Sequence, residues 1–124
     1  MIPYIDIQNL SKRFGACILF DNISFSIAEG QHVGLIAKNG MGKSTLLSVL
    51  VGKESKDSGK IIYKRDLKIG YLEQSPTFNS NETVLDACFN HHGDPDKVLK
   101  AKQILTQLKI TDLNQPMGQL SGGQ

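Results

Sequence analysis

The sequence predicts an α/β fold in which strands and one helix come first and helices dominate the remainder. Residues 5–10 and 22–27 alternate between apolar and polar side chains, which is typical of half-buried strands. Residues 33–37 form a continuous apolar run, which is typical of a strand buried on both faces of a parallel sheet. A glycine-bearing loop over residues 38–42 and a helical pattern over residues 43–51 follow directly, so a strand–loop–helix unit is expected here.

The next elements follow from shorter signals. Gly52 is expected to end the helix, and residues 61–63 and 67–72 predict two short strands. The predicted strands and the glycine-bearing loop all fall within residues 1–74, and the later helices fall within residues 75–124. The order of elements is therefore strands, a strand–loop–helix unit, strands and finally helices.

Two further helices are predicted in the second part. Asn81 is expected to cap a helix that runs from about residue 82 to residue 89, while Asp94 and Pro95 occupy the cap and first-turn positions of another. The second of these helices carries apolar side chains that we interpret as a packed face rather than a binding stripe: Val98, Ala101, Ile104, Leu105 and Leu108.

The composition excludes several kinds of protein. The chain has 124 residues, of which 40% are hydrophobic and 21% charged, and this fits one ordinary globular domain. The formal charge of +2 is too small to indicate nucleic-acid or membrane binding. No apolar run approaches the roughly 20 residues of a membrane-spanning helix, so no direct membrane insertion and a cytoplasmic location are expected. Cys17 and Cys88 lack metal-ligand spacing and are expected to be buried hydrophobic side chains.

Residues 37–45 carry the strongest chemical signal, because they place glycines, a lysine and two hydroxyls between a predicted strand and a helix. Polyphosphate needs many converging donors, and the backbone N–H groups at the start of a helix provide them. Gly40 and Gly42 allow close approach of the backbone, Lys43 adds a positive charge, and the Ser44 hydroxyl suits Mg²⁺. The candidate nucleotide-binding residues are Ala37, Lys38, Asn39, Gly40, Met41, Gly42, Lys43, Ser44 and Thr45.

Ala37 departs from the usual phosphate-loop pattern, which begins with glycine. Alanine is the smallest substitute, and we expect it to be tolerated if the backbone at this position has a negative φ. The alternative interpretation of the whole segment is a glycine-rich turn without a ligand.

The last five residues, Leu120 to Gln124, read LSGGQ, which is the signature motif of ABC-type ATP-binding domains. Together with the phosphate loop, this motif makes the chain resemble such a domain over nearly its whole length. The resemblance implies a P-loop NTPase fold of the ABC type, present as a partial domain. Residues 1–74 would be the N-terminal part of the core, with an antiparallel β subdomain and the P-loop strand and helix. Residues 75–124 would be the start of a helical subdomain, which ends in the signature motif. The implied cofactors are ATP and Mg²⁺.

The resemblance also implies roles for residues outside the phosphate loop. Residues 12–15 resemble the family's A-loop, so Phe14 would stack on adenine. Residues 69–74 resemble the strand that enters the Q-loop, so Gln74, together with Ser44, would serve Mg²⁺ and the attacking water. The signature residues would act on nucleotide held by a second ATP-binding domain, and these are Ser121, Gly122, Gly123 and Gln124.

The chain is expected to lack a complete catalytic set. In the family, the Walker B aspartate, the catalytic glutamate and the switch histidine all follow the signature, which here ends at Gln124. His91 and His92 precede the signature and are interpreted as a solvated loop pair. We therefore expect an ATP hydrolase in the whole protein but little turnover by this chain alone.

The chain resembles ABC-F proteins more than transporter subunits in two respects. The segment between Lys43 and Gln74 is short, and the amino-acid sequences of residues 68–74 and 83–87 are similar to those of ABC-F proteins. ABC-F proteins carry two ATP-binding domains on one chain, lack membrane domains and typically act on the ribosome. The segment between Gln74 and Leu120 is short for an ABC-F helical region. Either this protein naturally lacks part of that region, or part of it has been removed from the sequence.

Two other functions stay open. One is the cytosolic ATP-binding subunit of an ABC membrane transporter, whose partners would be membrane domains on other chains. The other is a nucleotide-binding or purely structural module without turnover.

Overall fold

The computed structural model describes residues 2–38, 40, 42–89 and 94–124. The chain forms two compact units, residues 1–74 and residues 75–124. His91 and His92 lie outside the described residues, so their interpretation as a loop pair stays a prediction.

The first unit contains a three-stranded antiparallel sheet. Strand β1 (Ile5–Phe14) lies in the middle, between β2 (Cys17–Ile27) and β3 (Ser58–Tyr63). A two-residue turn joins β1 to β2, and its first residue, Gly15, has a φ of 56°. The three strands expected over residues 5–10, 22–27 and 61–63 are therefore present, but all three are longer than predicted: β1 ends later, and β2 and β3 begin earlier.

Strand β1 contains an irregularity at Asn9 that decides which of its side chains enter the core. Asn9 has a φ of 51°, and the pairing register with β2 shifts between Ile7 and Leu10. Because the extra residue changes the inward face, Leu10 and then Lys12 are buried after Ile7. Gly59 of β3 accommodates this irregularity, since a Cβ there would lie 2.6 Å from the Leu10 Cα.

One helix covers the core face of this sheet. Helix α1 (Lys43–Leu50) buries Leu46, Val49 and Leu50 against Ile7 and Leu10 of β1. Each such side chain contributes about 1.5–3 kcal/mol when it is fully buried. The helix ends where the sequence predicted, because Gly52 follows with a φ of 78°.

The predicted buried strand over residues 33–37 is wrong. Residues 31–38 have no regular secondary structure, and Ile36 is 95% exposed. A strand needs backbone partners, and none of the described strands pairs with this segment. The strand expected over residues 67–72 is also not formed. Side chains hold that segment instead, through a 3.3 Å hydrogen bond between the Ser48 and Tyr71 hydroxyls.

The second unit contains helices α2 (Val84–Ala87) and α3 (Pro95–Gln107), followed by a 3₁₀ turn. Asp94 caps α3 as predicted, accepting a hydrogen bond from the Asp96 N–H. The predicted cap at Asn81 is wrong, because the Thr83 hydroxyl oxygen accepts from the Asp86 N–H and α2 begins after it.

The expected packed face of α3 is only partly buried. Val98, Ala101 and Leu105 are half-buried, but Ile104 and Leu108 are exposed. None of the described helices is long and apolar enough to cross a membrane.

The expectation that both cysteines are buried is wrong. Cys17 and Cys88 are free and exposed. Cys17 sits beside the hairpin turn, where β2 has not yet reached the core. Partial burial of the Cys88 thiol still raises its pKa above the ordinary value.

Candidate functional site

A cavity of about 370 Å³ opens at the beginning of helix α1. It lies within the first unit and collects most of the described candidate residues, although they come from three separated parts of the chain. Its lining residues are Phe14, Leu19, Gly40, Gly42, Lys43, Ser44, Thr45 and Gln74. Two larger depressions, of about 530 and 620 Å³, lie along the sheet, and neither includes the glycine-bearing loop.

The loop before α1 has a backbone that only glycine adopts easily. Gly40 and Gly42 have φ values of 79° and 86°. A Cβ added to Gly42 would also lie 2.8 Å from the Leu19 Cβ, closer than real Cβ contacts. Both conformation and space therefore require glycine at position 42.

The start of α1 supplies donors to this cavity. The first helical hydrogen bond runs from the Leu46 N–H to the Gly42 carbonyl at 2.8 Å, so the three preceding N–H groups lie ahead of it. The cap residue Gly42 makes no side-chain cap, and no acidic residue occupies the first turn. An anion at this position would meet the positive end of the helix dipole without a competing carboxylate there.

Lys43 ties the loop together and keeps donor capacity. Its ammonium donates a hydrogen bond to the Ala37 carbonyl at 2.5 Å. An ammonium has three N–H donors, so further donors remain for a ligand. Ala37 is described and is not among the residues that have a positive φ. Alanine is therefore tolerated at this first position of the loop.

Phe14 and Gln74 reach the cavity from opposite ends of the unit's sequence. Phe14 ends β1 and is 51% exposed. Gln74 follows Glu73, whose carboxylate pairs with the Lys53 ammonium just beyond α1. That ion pair connects the segment that precedes Gln74 to the residue that follows Gly52.

Some predicted residues are not brought together here. Ala37 contributes only its carbonyl to Lys43, and Lys38 does not line the cavity. Asn39 and Met41 lie outside the described residues, so their nucleotide-binding roles stay predictions. Leu19 also lines the cavity and was not predicted, because it lies at a register shift of β2 where no local pattern indicates its orientation.

The signature residues form an exposed turn in the second unit. The Gln124 N–H donates to the Ser121 carbonyl at 3.0 Å, and the Gln124 side-chain oxygen accepts from the Ser121 N–H at 2.9 Å. Gly122 and Gly123 have no positive φ, and a Cβ on either would meet open space. This turn therefore closes on itself, with all four residues exposed.

Comparison with known proteins shows what the chain is similar to. The family model described as ABC transporter matches residues 20–124. The energy-dependent translational throttle protein EttA of Haemophilus influenzae is 33% identical over 97% of this chain and 23% of its own length. The zinc import ATP-binding protein ZnuC of Rickettsia bellii is 33% identical over 98% of this chain and 53% of its own length.

A solved structure and a further relative extend the comparison. The ADP conformation of MJ1267, an ATP-binding cassette of an ABC transporter, matches with a TM-score of 0.70 and 26% identity, over 99% of this chain and 61% of that one. The uncharacterized ABC transporter ATP-binding protein YfmR of Bacillus subtilis is 31% identical over 94% of this chain. The chain spans only 25% of YfmR's length. Their aligned region of 157 residues exceeds the chain's 124, so YfmR has intervening residues that this chain lacks.

Proposed function

The chain belongs to the ABC transporter family, and from that premise we propose that its first unit binds ATP together with Mg²⁺. One observation carries the proposal: a single cavity collects Phe14, the loop glycines, Lys43, Ser44 and Gln74. These residue types match the parts of a nucleotide, with donors for phosphates, oxygens for a metal and a ring for a base.

The phosphates would be held at the start of α1. The N–H groups of the first turn and the Lys43 ammonium supply charge and converging donors. The Ser44 hydroxyl and the Gln74 amide oxygen are hard oxygen ligands of the kind that Mg²⁺ prefers, and both line the cavity. When bound, Mg²⁺ would neutralise part of the phosphate charge. Phe14 would stack on adenine.

We further propose that the whole protein is an ABC-F-type ATPase that acts on the ribosome in the cytoplasm. The likeness to EttA and the short segment between Lys43 and Gln74 support this assignment. In that protein, Ser121 to Gln124 would close over nucleotide held by a second ATP-binding domain. The likeness to ZnuC supports the alternative of a transporter subunit that works with membrane domains.

Calorimetry tests the binding proposal. Lys43→Ala should weaken Mg·ATP and Mg·ADP binding by about 1.5–3 kcal/mol, because a charge-assisted hydrogen bond is lost. Lys102→Ala is the matched control, since it removes the same charge from an exposed position on α3. Equal affinities of the wild type and Lys43→Ala would refute nucleotide binding at this loop.

We also expect binding without turnover by the 124-residue chain. None of the described residues that line the cavity carries a carboxylate, so no general base stands beside the phosphates. Absence of such a base alone costs about 10²–10⁴-fold in rate. Phosphate release should match that of Lys43→Ala, and turnover that disappears in this variant would contradict the expectation.

Cosedimentation of the full-length protein separates the two larger assignments. Ribosome binding that requires ATP, and that fails with Lys43→Ala, would support the ABC-F assignment. Recovery with a membrane fraction, and none with ribosomes, would support the transporter subunit instead.

A further inference from the structure

Lys12 is a buried charge that the binding proposal does not use. It is 6% exposed and is the one buried polar or charged residue in the described part of the chain. Burying an ammonium costs several kcal/mol unless it is paired. Its Nζ lies 3.3 Å from Glu54 Oε1, 3.8 Å from Asp57 Oδ1 and 3.4 Å from the Ser55 hydroxyl. The segment after α1 therefore compensates this charge.

The same ammonium also contacts the ring of Phe14. Its Nζ lies 5.0 Å from the ring centroid, within the distance of a cation–π interaction. Lys12 and Phe14 are two residues apart on β1 and therefore lie on the same face of the strand, and the irregularity at Asn9 makes this the face on which Leu10 and Lys12 are buried. Phe14 remains 51% exposed, so ring surface is left for the cavity that it lines.

The pairing segment is attached to α1. The N–H groups of Lys53 and Glu54 both donate to the Ser48 carbonyl, at 2.9 and 3.2 Å. Asp57 in turn accepts a hydrogen bond from the Arg13 N–H at 2.8 Å. The helix that starts at the phosphate loop is thus connected at its other end, through Glu54 and Lys12, to the aromatic ring.

We propose that Lys12 is a positioning residue for the nucleoside part of the ligand. It holds the Phe14 ring at the cavity, and Glu54 and Asp57 fix its ammonium in turn. Lys12 itself need not touch the nucleotide. This inference rests on the proposed function, and it assigns a role to a residue outside the phosphate loop and outside the cavity lining.

The test compares a ligand with a base and a ligand without one. Lys12→Met should weaken Mg·ADP binding about fivefold, which is the effect expected from losing a cation–π contact to a ring that is half exposed. Binding of magnesium pyrophosphate should stay unchanged, because that ligand has no base to stack. Lys12→Arg should retain wild-type affinity for both ligands.

Two features make Lys12→Met interpretable. Methionine keeps an unbranched apolar stem, and the carboxylates of Glu54 and Asp57 are 38% and 43% exposed, so water can solvate them. Lys64→Met is the matched control, because the Lys64 Nζ lies 4.7 Å from the ring centroid of Tyr4, which does not line the cavity. The control should leave the ratio of the two affinities unchanged.

A double-mutant comparison separates positioning from general electrostatics. In a Phe14→Ala background, Lys12→Met should cause no further loss of Mg·ADP affinity. An equal loss for ADP and pyrophosphate, or a loss that persists without Phe14, would overturn the inference.

A nucleotide-free measurement keeps the inference distinct from the proposed function. With ¹³C-labelled phenylalanine, Lys12→Met should shift the ring signals that Phe14→Leu removes, and Lys64→Met should not. If no Lys43-dependent binding is found but these shifts occur, the nucleotide proposal fails while the Lys12–Phe14 contact stands. Unshifted Phe14 signals would overturn the inference whatever binds.

Discussion

The phosphate loop and the signature turn are both short glycine-bearing segments, yet only in the phosphate loop do backbone conformation and neighbouring atoms require glycine. Gly42 has a φ of 86° and faces Leu19 so closely that a Cβ would clash. Gly122 and Gly123 have neither property. The first loop is therefore already shaped as a site by its own unit. In the signature turn, neither the backbone conformation nor the space around Gly122 and Gly123 requires glycine.

The largest expected effect is on stability, and it tests the difference in backbone constraint between Gly42 and Gly122. Gly42→Ala should destabilise the protein by about 2 kcal/mol, because positive φ costs about 1–2 kcal/mol for alanine and the overlap with Leu19 adds to it. Gly122→Ala should change the free energy of unfolding by less than about 0.5 kcal/mol. Urea unfolding followed by circular dichroism measures both variants. Similar destabilisation by the two variants would show that the signature turn is as constrained as the phosphate loop.

The apolar run at residues 33–37 is exposed in the first unit, and it provides a second test. Val33, Leu35 and Ile36 are exposed, and no described strand pairs with their backbone. Such a segment favours self-association. We expect the weight-average mass from light scattering to rise with protein concentration, and Ile36→Asp to reduce that rise several-fold.

Ile2→Asp is the matched control for this test. Ile2 is exposed too, but it lies before β1 and outside the apolar run. The control should leave the concentration dependence unchanged. A wild-type protein that stays monomeric at all concentrations would show that the exposed segment is harmless.

The same segment shows why part of the fold could not be predicted from the sequence. Local patterns were sufficient for β1 to β3, for the end of α1 at Gly52 and for the cap at Asp94. The apolar run at 33–37 predicted a buried strand, but the segment forms no strand and is exposed. Strand formation depends on a pairing partner elsewhere in the chain, and such a partner is not encoded in the run itself.

The candidate site was predictable where it depends on local backbone chemistry. The glycines, Lys43 and Ser44 are adjacent in sequence, and one loop brings them into the cavity. Leu19 and the role of Lys12 could not be predicted, because both depend on register irregularities of β1 and β2. Asparagine tolerates the left-handed backbone, and Asn9 and Asn22 both have a φ of 51°. The described residues Asn79, Asn81 and Asn114 have no positive φ, so residue type alone does not predict where an irregularity falls.

The smallest expected effect is on nucleotide affinity, and it compares serine-to-alanine substitutions in the phosphate loop and in the signature turn. Ser44→Ala should weaken Mg·ATP binding by about 1 kcal/mol, because a hydroxyl in the cavity is lost, and the loss should shrink when Mg²⁺ is removed. Ser121→Ala should leave the affinity unchanged within about 0.5 kcal/mol, since the described residues lining the cavity all belong to the first unit. Calorimetry on the 124-residue chain measures both. If Ser121→Ala weakened binding as much as Ser44→Ala does, the signature turn would serve nucleotide bound by this same chain, and the contrast between the two loops would fail. If neither variant changed the affinity, the metal role of Ser44 would be wrong while the contrast in backbone constraint would still rest on Gly42.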